Sequence, residues 1–516
     1  MADITYRANL KTASFPFLSE LFGRSIIVKQ QDQNYIGGLA TKESLDSAIG
    51  VPQVYYLHNV VPTDSGYKSV GYREYTPPTF PAGTDLNNVA TIRDGAGNSA
   101  LLGTTSGGNL YVMEKGTSTW TVPIGAPAAA TIAGKRVTIA FVSGVTYIYF
   151  SNVGCYVYDW TTNTLTLTAL SGLVAADIIG VVGHKGYLLA YSESELAWSS
   201  VILATDFVPS LETGAGGGQV EGLRGRIVTA EEVYGGIVIF AEENCIAAQA
   251  SDNPRFPYTF QPITGSGGLT DYAYVSRDSG SGAVYAYTTS GMQSISLRQA
   301  QAVFPEVTDF LSGGLFEDFD ELTNELSLTE TDDTLILKRL HLVADRYLMV
   351  SYGENSLTHA LYYDIAYKQW GRLKLEHTDC FELGIYPTGV TETPKRTIAF
   401  VSDTGRIQTL DTDIVSANSN GVLILGKYQY VRSRLLQLQG VEFENVNVGD
   451  TFALYDLPTY DGKVFQPAIA GYQVTGTTGK AVAYSFHNTA VNHSVLLKGA
   501  FNAVSLLLNF NVAGAR

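Results

Sequence analysis

Between Ala90 and Asp411 the chain returns repeatedly to one theme: a Gly-containing turn, a strand rich in Tyr, Val and Ile, a second turn, and a strand that carries an aromatic. The copies start at Gly107-Gly108-Asn-Leu-Tyr111, with Trp120 downstream, and at Gly144-Val-Thr-Tyr147-Ile-Tyr-Phe150, followed by Tyr156-Val-Tyr158-Asp159-Trp160. Further copies are Gly183-His-Lys-Gly186-Tyr-Leu-Leu-Ala-Tyr191 leading to Trp198, Gly235-Gly236-Ile-Val-Ile-Phe240, and Gly282-Ala-Val-Tyr285-Ala-Tyr287. Tyr347-Leu-Met-Val350 runs into Leu361-Tyr-Tyr-Asp364 and Trp370, and a last copy covers Arg396 to Gly405. Such spacing repeats about every 45 residues, the length of a four-stranded propeller blade. The expectation is an all-β chain built on a β-propeller of six or seven blades.

Alternate aromatics in these strands fill the space between stacked sheets, and the tryptophans are expected in the core. The 52 Gly and 32 Tyr beside 16% charged residues agree with strands and tight turns rather than helices. The propeller is expected over 86–412. It is preceded by an N-terminal arm and clasp (1–85), with a short helix around Lys42–Ala48, and followed by a C-terminal β-sandwich-like domain (413–516).

Acidic residues outnumber Lys and Arg by 49 to 33, a net charge of −16, so stable capture of a phosphate backbone is not expected. An acidic insertion near 312–333 holds Glu317, Asp318, Asp320, Glu321, Glu325, Glu330, Asp332 and Asp333. It reads as a solvated face, or as a surface lining a channel or meeting a basic partner. Lys427, Arg432 and Arg434 form the clearest basic group, suited to ion pairs with a neighbouring subunit.

Catalytic signatures are sparse. Cys155, Cys245 and Cys380 are too far apart for a metal or disulfide framework and read as buried free thiols. Seven histidines are scattered, and only His377 sits near Asp379 and Cys380. Ser276-Arg-Asp278-Ser-Gly280 begins like a sialidase Asp box, yet Ala283 stands where that motif ends in Trp. Gly214-Ala-Gly-Gly-Gly218 lacks the Lys of a phosphate loop and reads as a flexible loop. Neither a membrane span of about 18 apolar residues nor a secretory signal is evident. The reading is of a non-enzyme with no catalytic residue, metal or cofactor. The alternatives are a carbohydrate-binding or glycosidic propeller, whose two carboxylates would work above a central channel, and an intracellular scaffold.

The middle of the chain resembles the tail hub or nozzle proteins of short-tailed, P22-like bacteriophages. The resemblance is carried by Asp177-Ile-Ile-Gly180, Gly186-Tyr, Trp198-Ser199-Ser200, Asp206-Phe207, Gly222-Leu-Arg-Gly225, Gly235 to Phe240 and Glu243-Asn244, and later by Ala360-Leu-Tyr-Tyr-Asp364 before Trp370. It covers roughly 130–415 and rests on pattern and spacing. It implies a virion structural protein forming a hexameric ring below the portal and its adaptor protein, assembled in the host cytoplasm. Tail fibres or tailspikes and a tail needle or plug would be its neighbours, and double-stranded DNA would pass through without stable binding.

Overall fold

The computed structural model describes residues 3–9, 26–28, 48–49, 54–74 and 86–514, apart from 65, 115–118, 252, 254–256, 277–281, 312–336, 344–345, 355, 384–396, 412–420, 431–434, 444–448, 460–471, 476–481 and 504. Within these residues the chain is almost wholly antiparallel sheet, and successive stretches of sequence fold into successive small sheets. Three consecutive sheets are simple four-stranded meanders. Blade 2 runs through Val137–Val142, Val145–Phe150, Gly154–Asp159 and Thr164–Thr168. Blade 3 runs from Gly180–His184 to Gly216–Gln219, and blade 4 from Ile227–Val233 to Tyr258–Pro262. Two-residue turns with positive φ at both positions, Ser143-Gly144 and Lys185-Gly186, set the twist of the first hairpins of blades 2 and 3.

Blade 1 has the strands Leu86–Arg93, Ser99–Thr105 and Leu110–Glu114, and Thr121 adds a fourth rung by exchanging backbone bonds with Val112. Blade 5 (Val284–Thr288, Gly291–Ile295, Ala300–Ala302) takes its first rung from Val275, which bridges Ala286. Blades 6 and 7 share the long strand Gln369–Leu383. Its first part pairs with Leu357–Asp364 and its end with Thr397–Ser402, and the register shifts between His377 and Asp379 where one sheet hands over to the next. Gly71–Glu74, from the N-terminal side of the propeller, completes blade 7 by pairing with Ile407–Asp411.

The alternation of side chains turns each sheet into an adhesive on both faces. Ile148, Phe150 and Tyr158 of blade 2 pack on Ile92, Leu102 and Leu110 of blade 1, whereas Tyr147 and Tyr149 on the other face meet Val181, Leu188 and Ala190 of blade 3. Blade 3 meets blade 4 through Leu189, Leu196, Ile237 and Ile239, and blade 4 meets blade 5 through Phe240, Leu269 and Ile295. Cys380, Ile398 and Phe400 of blade 7 face Met349 and Tyr362 of blade 6, while Phe381, Ala399 and Val401 face Leu86, Leu101 and Trp120 of blade 1. The last blade therefore packs on the first. Among the described residues these sheets form a closed β-propeller of seven blades, in agreement with the fold expected from the period.

Most of the remaining strands form a β-sandwich. One sheet has the order Asp3–Asn9, Ser505–Gly514, Leu435–Phe443, Val482–Ala490; the other is built around Gly421–Tyr430, Asn492–Ala500 and Thr451–Thr459. Leu436, Leu438, Phe443, Leu508 and Phe510 of the first sheet meet Leu423, Leu425, Phe452, Leu454 and Leu497 of the second. The segment 1–85, expected as an arm and clasp, supplies strands to this sandwich and to the propeller. Asp3–Asn9 pairs with Ser505–Gly514, Ile26–Val28 and Val54–His58 flank Gly421–Tyr430, and Gly71–Glu74 closes blade 7. Of the helix expected around Lys42–Ala48, residues 42–47 lie outside the described residues, and Ala48–Ile49 is a short strand.

Gly214–Gly218, expected as a flexible loop, instead leads into the strand Gly216–Gln219, the outer strand of blade 3. The correction has a steric origin. A β-carbon on Gly216 would lie 3.3 Å from the Trp198 indole, so glycine lets that ring lie flat on the strand while Trp198 Nε1 donates to the Gly214 carbonyl at 3.0 Å.

Candidate functional site

Ligand and partner sites of propellers are sought where the first strands of the blades converge. Here those strands run in one direction, as their cross-blade bonds show. Val181 N donates to Thr138 Oγ1 at 2.9 Å, Val89 N to Asp379 Oδ2 at 2.9 Å, and Gly95 N to the Gly144 carbonyl at 2.9 Å. Near the starts of these strands three cationic side chains each reach a neighbouring blade.

Arg136, just before the first strand of blade 2, reaches past blade 3. Its Nη1 donates to the Val228 carbonyl at 2.7 Å and its Nη2 to Thr229 Oγ1 at 2.6 Å, both on blade 4, and its guanidinium lies 4.3 Å from the ring centre of Tyr272. Lys338 on blade 6 lies 5.0 Å from the Tyr287 ring, and burial lowers its pKa. Arg339 beside it donates to the Thr378 carbonyl at 2.7 Å and to Asn88 Oδ1 at 2.7 Å, and its Nη2 lies 3.3 Å from Asp379 Oδ1. His341 Nε2 approaches the same carboxylate at 3.2 Å. Asp379 is nearly fully buried and thereby ties blades 6, 7 and 1 at one point.

This arrangement braces the ring. The guanidinium groups of Arg136 and Arg339 are spent on carbonyls, a hydroxyl, an amide and a carboxylate of neighbouring blades, which fixes the mouth in one geometry. On blade 4, burial raises the pKa of Glu232.

The local cluster of His377, Asp379 and Cys380 is divided by the fold. His377 bonds at 2.6 Å to the Leu375 carbonyl through Nδ1, so Nδ1 carries the proton and Nε2 accepts from Ser351 Oγ at 2.7 Å. Burial holds its pKa down at about 4. A hydroxyl beside an imidazole has the makings of a nucleophile and base, but both residues are sealed in the core, where no substrate reaches them. Cys380 packs between blades 6 and 7, and burial raises its pKa well above the usual thiol range. All three cysteines are buried free thiols, as expected, and Trp120, Trp198 and Trp370 are core residues.

The acidic run Glu317, Asp318, Asp320, Glu321, Glu325, Glu330, Asp332 and Asp333 lies outside the described residues, as do Arg432, Arg434 and Asp278. Lys427 falls in the strand Gly421–Tyr430, at the register shift between Gly426 and Tyr428. Among the described residues no group of three or more His, Cys, Asp or Glu is placed to hold a metal ion, and no helix is long and apolar enough to cross a membrane. Sequence reasoning missed Arg136, Lys338, Arg339 and Asn88 because they come from three separate blades with no common motif. The signal available was their place, at or near the start of the first strand of a repeat.

No protein family matches the chain, and no curated protein does. Solved structures that resemble it include YCF48 from Cyanidioschyzon merolae, with a TM-score of 0.35, 11% identity, and coverage of 66% of this chain and 99% of that one. BBS1N in complex with ARL6DN gives a TM-score of 0.40, 10% identity, and coverage of 68% and 99%. YCF48 bound to D1 peptide gives 0.37, 10%, and 69% and 99%. At these values the likeness has no bearing on function, and the propeller assignment rests on the sheet order and the closure of blade 7 on blade 1.

Proposed function

We propose that this chain is a structural subunit of a short bacteriophage tail, a nozzle or hub whose copies form a ring that continues the DNA exit channel below the portal and adaptor. The observation that carries the reading is the double fastening of the chain. Asp3–Asn9 pairs along its whole length with Ser505–Gly514, and Gly71–Glu74 completes the last blade. Separating the last blade from the chain requires breaking the ladder between Gly71–Glu74 and Ile407–Asp411. A part exposed to the force of DNA ejection is served by ladders that join segments so distant in sequence. Arg136 reaches across the propeller mouth, so in this reading the duplex passes along the axis of the ring of copies and not through the propeller itself. Of the residues that carry the resemblance, those from Asp177 to Asn244 lie in blades 3 and 4 and their flanking turns, and Ala360 to Trp370 in blade 6.

Immunogold electron microscopy of purified virions from the encoding source, with antibody against the recombinant chain, tests this. Gold at a single tail vertex is the expected result. Gold absent from intact and disrupted particles alike removes the tail reading, and screening for glycan binding and glycosidase activity then follows.

A further inference from the structure

The two sheets of the sandwich are joined by a buried polar network as well as by their apolar faces. Asp456, on Thr451–Thr459, and His493, on Asn492–Ala500, belong to one sheet and are both fully buried. His493 Nδ1 lies 3.0 Å from Asp456 Oδ1 and 3.1 Å from Oδ2. Both residues also reach the other sheet. His493 Nε2 lies 3.0 Å from the Leu436 carbonyl, and Asp456 Oδ2 accepts from Asn488 Nδ2 at 2.9 Å. Leu436 sits where the ladder between Leu435–Phe443 and Ser505–Gly514 shifts register, and a shift of this kind leaves a carbonyl out of the ladder.

The roles in this network follow from its atoms. A carbonyl oxygen can only accept, so Nε2 carries a proton. The Asp456 carboxylate accepts at both oxygens, so Nδ1 carries one as well. A ring protonated at both nitrogens is an imidazolium, with Asp456 as its counter-ion. A neutral ring would turn a lone pair toward the carbonyl or the carboxylate, and in a closed site that bond is not replaced by one to solvent. The other side chains beside the ring are Tyr428, in register with it on Gly421–Tyr430, and Phe510, 5.9 Å away on Ser505–Gly514. His487, next to Asn488, is exposed, and Tyr455, next to Asp456, alternates to the opposite face of its strand. Among the described side chains Asp456 is therefore the charged group that faces His493.

We propose that His493 and Asp456 form a proton-dependent clasp between the two sheets, a switch that holds the sandwich closed while the pair keeps its proton and loosens it in alkaline medium. Between about pH 4 and 6.5 an unfolded chain carries both charges too; above about 6.5 its histidine gives up the proton that the bonds of the folded pair retain. The contribution of the clasp is full in that window and falls as pH rises above it. The sandwich holds Asp3–Asn9 against Ser505–Gly514 and, through the bonds between Ser69 and Phe501, anchors the segment that leads into Gly71–Glu74, so the clasp governs both fastenings. The propeller has the opposite habit, because burial disfavours the charged forms of His184 and His377. Acid loosens the propeller, and alkali the sandwich.

Two measurements on the full chain test this. In protein labelled with 15N-histidine, proton NMR at pH 7 is expected to show two exchange-protected, nitrogen-bound imidazole protons from a single ring, both missing from His493→Gln. A His493 ring with one such proton overturns the proposal. Hydrogen exchange read by mass spectrometry from pH 6.5 to 8.5, corrected for the chemical rate, is expected to accelerate in peptides from 482–500 and 505–514 by up to about tenfold per pH unit, the effect of one proton. Peptides from blades 2 to 4 are expected to follow the chemical rate alone, and His493→Gln is expected to remove the extra acceleration in the sandwich. Sandwich peptides that follow the chemical rate in the wild type overturn the proposal, as does equal acceleration in both domains. The wild-type exchange decides by itself where the variant does not fold.

Discussion

Ser69 and Phe501, 432 residues apart, are bonded to each other in three ways. Ser69 N donates to the Phe501 carbonyl at 2.9 Å, Ser69 Oγ donates to the same carbonyl at 3.2 Å, and Phe501 N donates back to Ser69 Oγ at 2.8 Å. Both residues are buried where the hairpin before blade 7 meets the sandwich. A β-carbon on Gly421 would come within 2.4 Å of the Ser69 side chain, so the strand Gly421–Tyr430 can pass here only as glycine. Ser69 thus joins the strand that closes the propeller to the domain that holds Asp3–Asn9 and Ser505–Gly514.

Replacing Ser69 with Ala leaves the Phe501 amide without its acceptor in a site closed to water. The expected cost is about 1–3 kcal/mol, the penalty for an unpaired buried donor. Urea unfolding monitored by tryptophan fluorescence and circular dichroism measures it. An unchanged midpoint would mean that the junction is not under tension from these bonds.

Asp379 accepts the Val89 amide of blade 1 and faces Arg339 and His341 of blade 6, so it acts where the ring closes. Asp379→Asn keeps the shape but leaves Arg339 beside a neutral amide, with an expected loss of about 3 kcal/mol. Arg339→Met made in the Asp379→Asn background should recover part of that loss, because the uncompensated cation is gone. A double-mutant cycle that shows no coupling between the two positions would rule out the pairing as the closure device.

Much of this architecture was legible in the sequence. The recurrence of Gly-bounded aromatic strands marks blades because each repeat must bury both faces of one sheet, and Tyr156, Tyr158 and Trp198 do so where the pattern places them. The glycines at 214–218 misled for a physical reason: a run without side chains has no periodicity to read, and what orders Gly216–Gln219 is the Trp198 ring from a neighbouring strand. The mouth residues were equally illegible. Arg136 and Tyr272 are distant in sequence and meet only because blades 2 and 5 face the same channel.

The cysteines give a chemical check on the packing. Cys155 and Cys245 are buried between blades, and burial pushes each thiol up to about 12, so almost no thiolate exists at pH 8 to attack a disulfide reagent. The native protein is expected to leave all three thiols unreacted with Ellman's reagent, and denaturant should release all three at once. Fast reaction of one thiol in the native state would show that its blade interface opens locally.

His377 makes the propeller sensitive to acid. Its folded pKa of about 4 lies below the ordinary 6.5 because burial disfavours the imidazolium. On acidification the unfolded chain therefore takes up the proton first. The contribution of neutral His377 is fully present above pH 6.5, is lost progressively between about 6.5 and 4, and changes no further below that; its full size is about 3 kcal/mol. His184, which bonds the Tyr258 hydroxyl at 3.0 Å, is also held down at about 4 by burial and acts in the same direction. His377→Gln lowers stability at pH 7 through the lost Leu375 and Ser351 bonds, but it removes one titrating group. The decisive quantity is therefore the slope of unfolding free energy against pH between 6.5 and 4, measured in urea for wild type and variant. The variant's slope is expected to be shallower, by about one proton at its steepest. Parallel slopes would show that His377 takes up its proton at its ordinary pKa in the folded state, which burial in the closed core between blades 6 and 7 argues against.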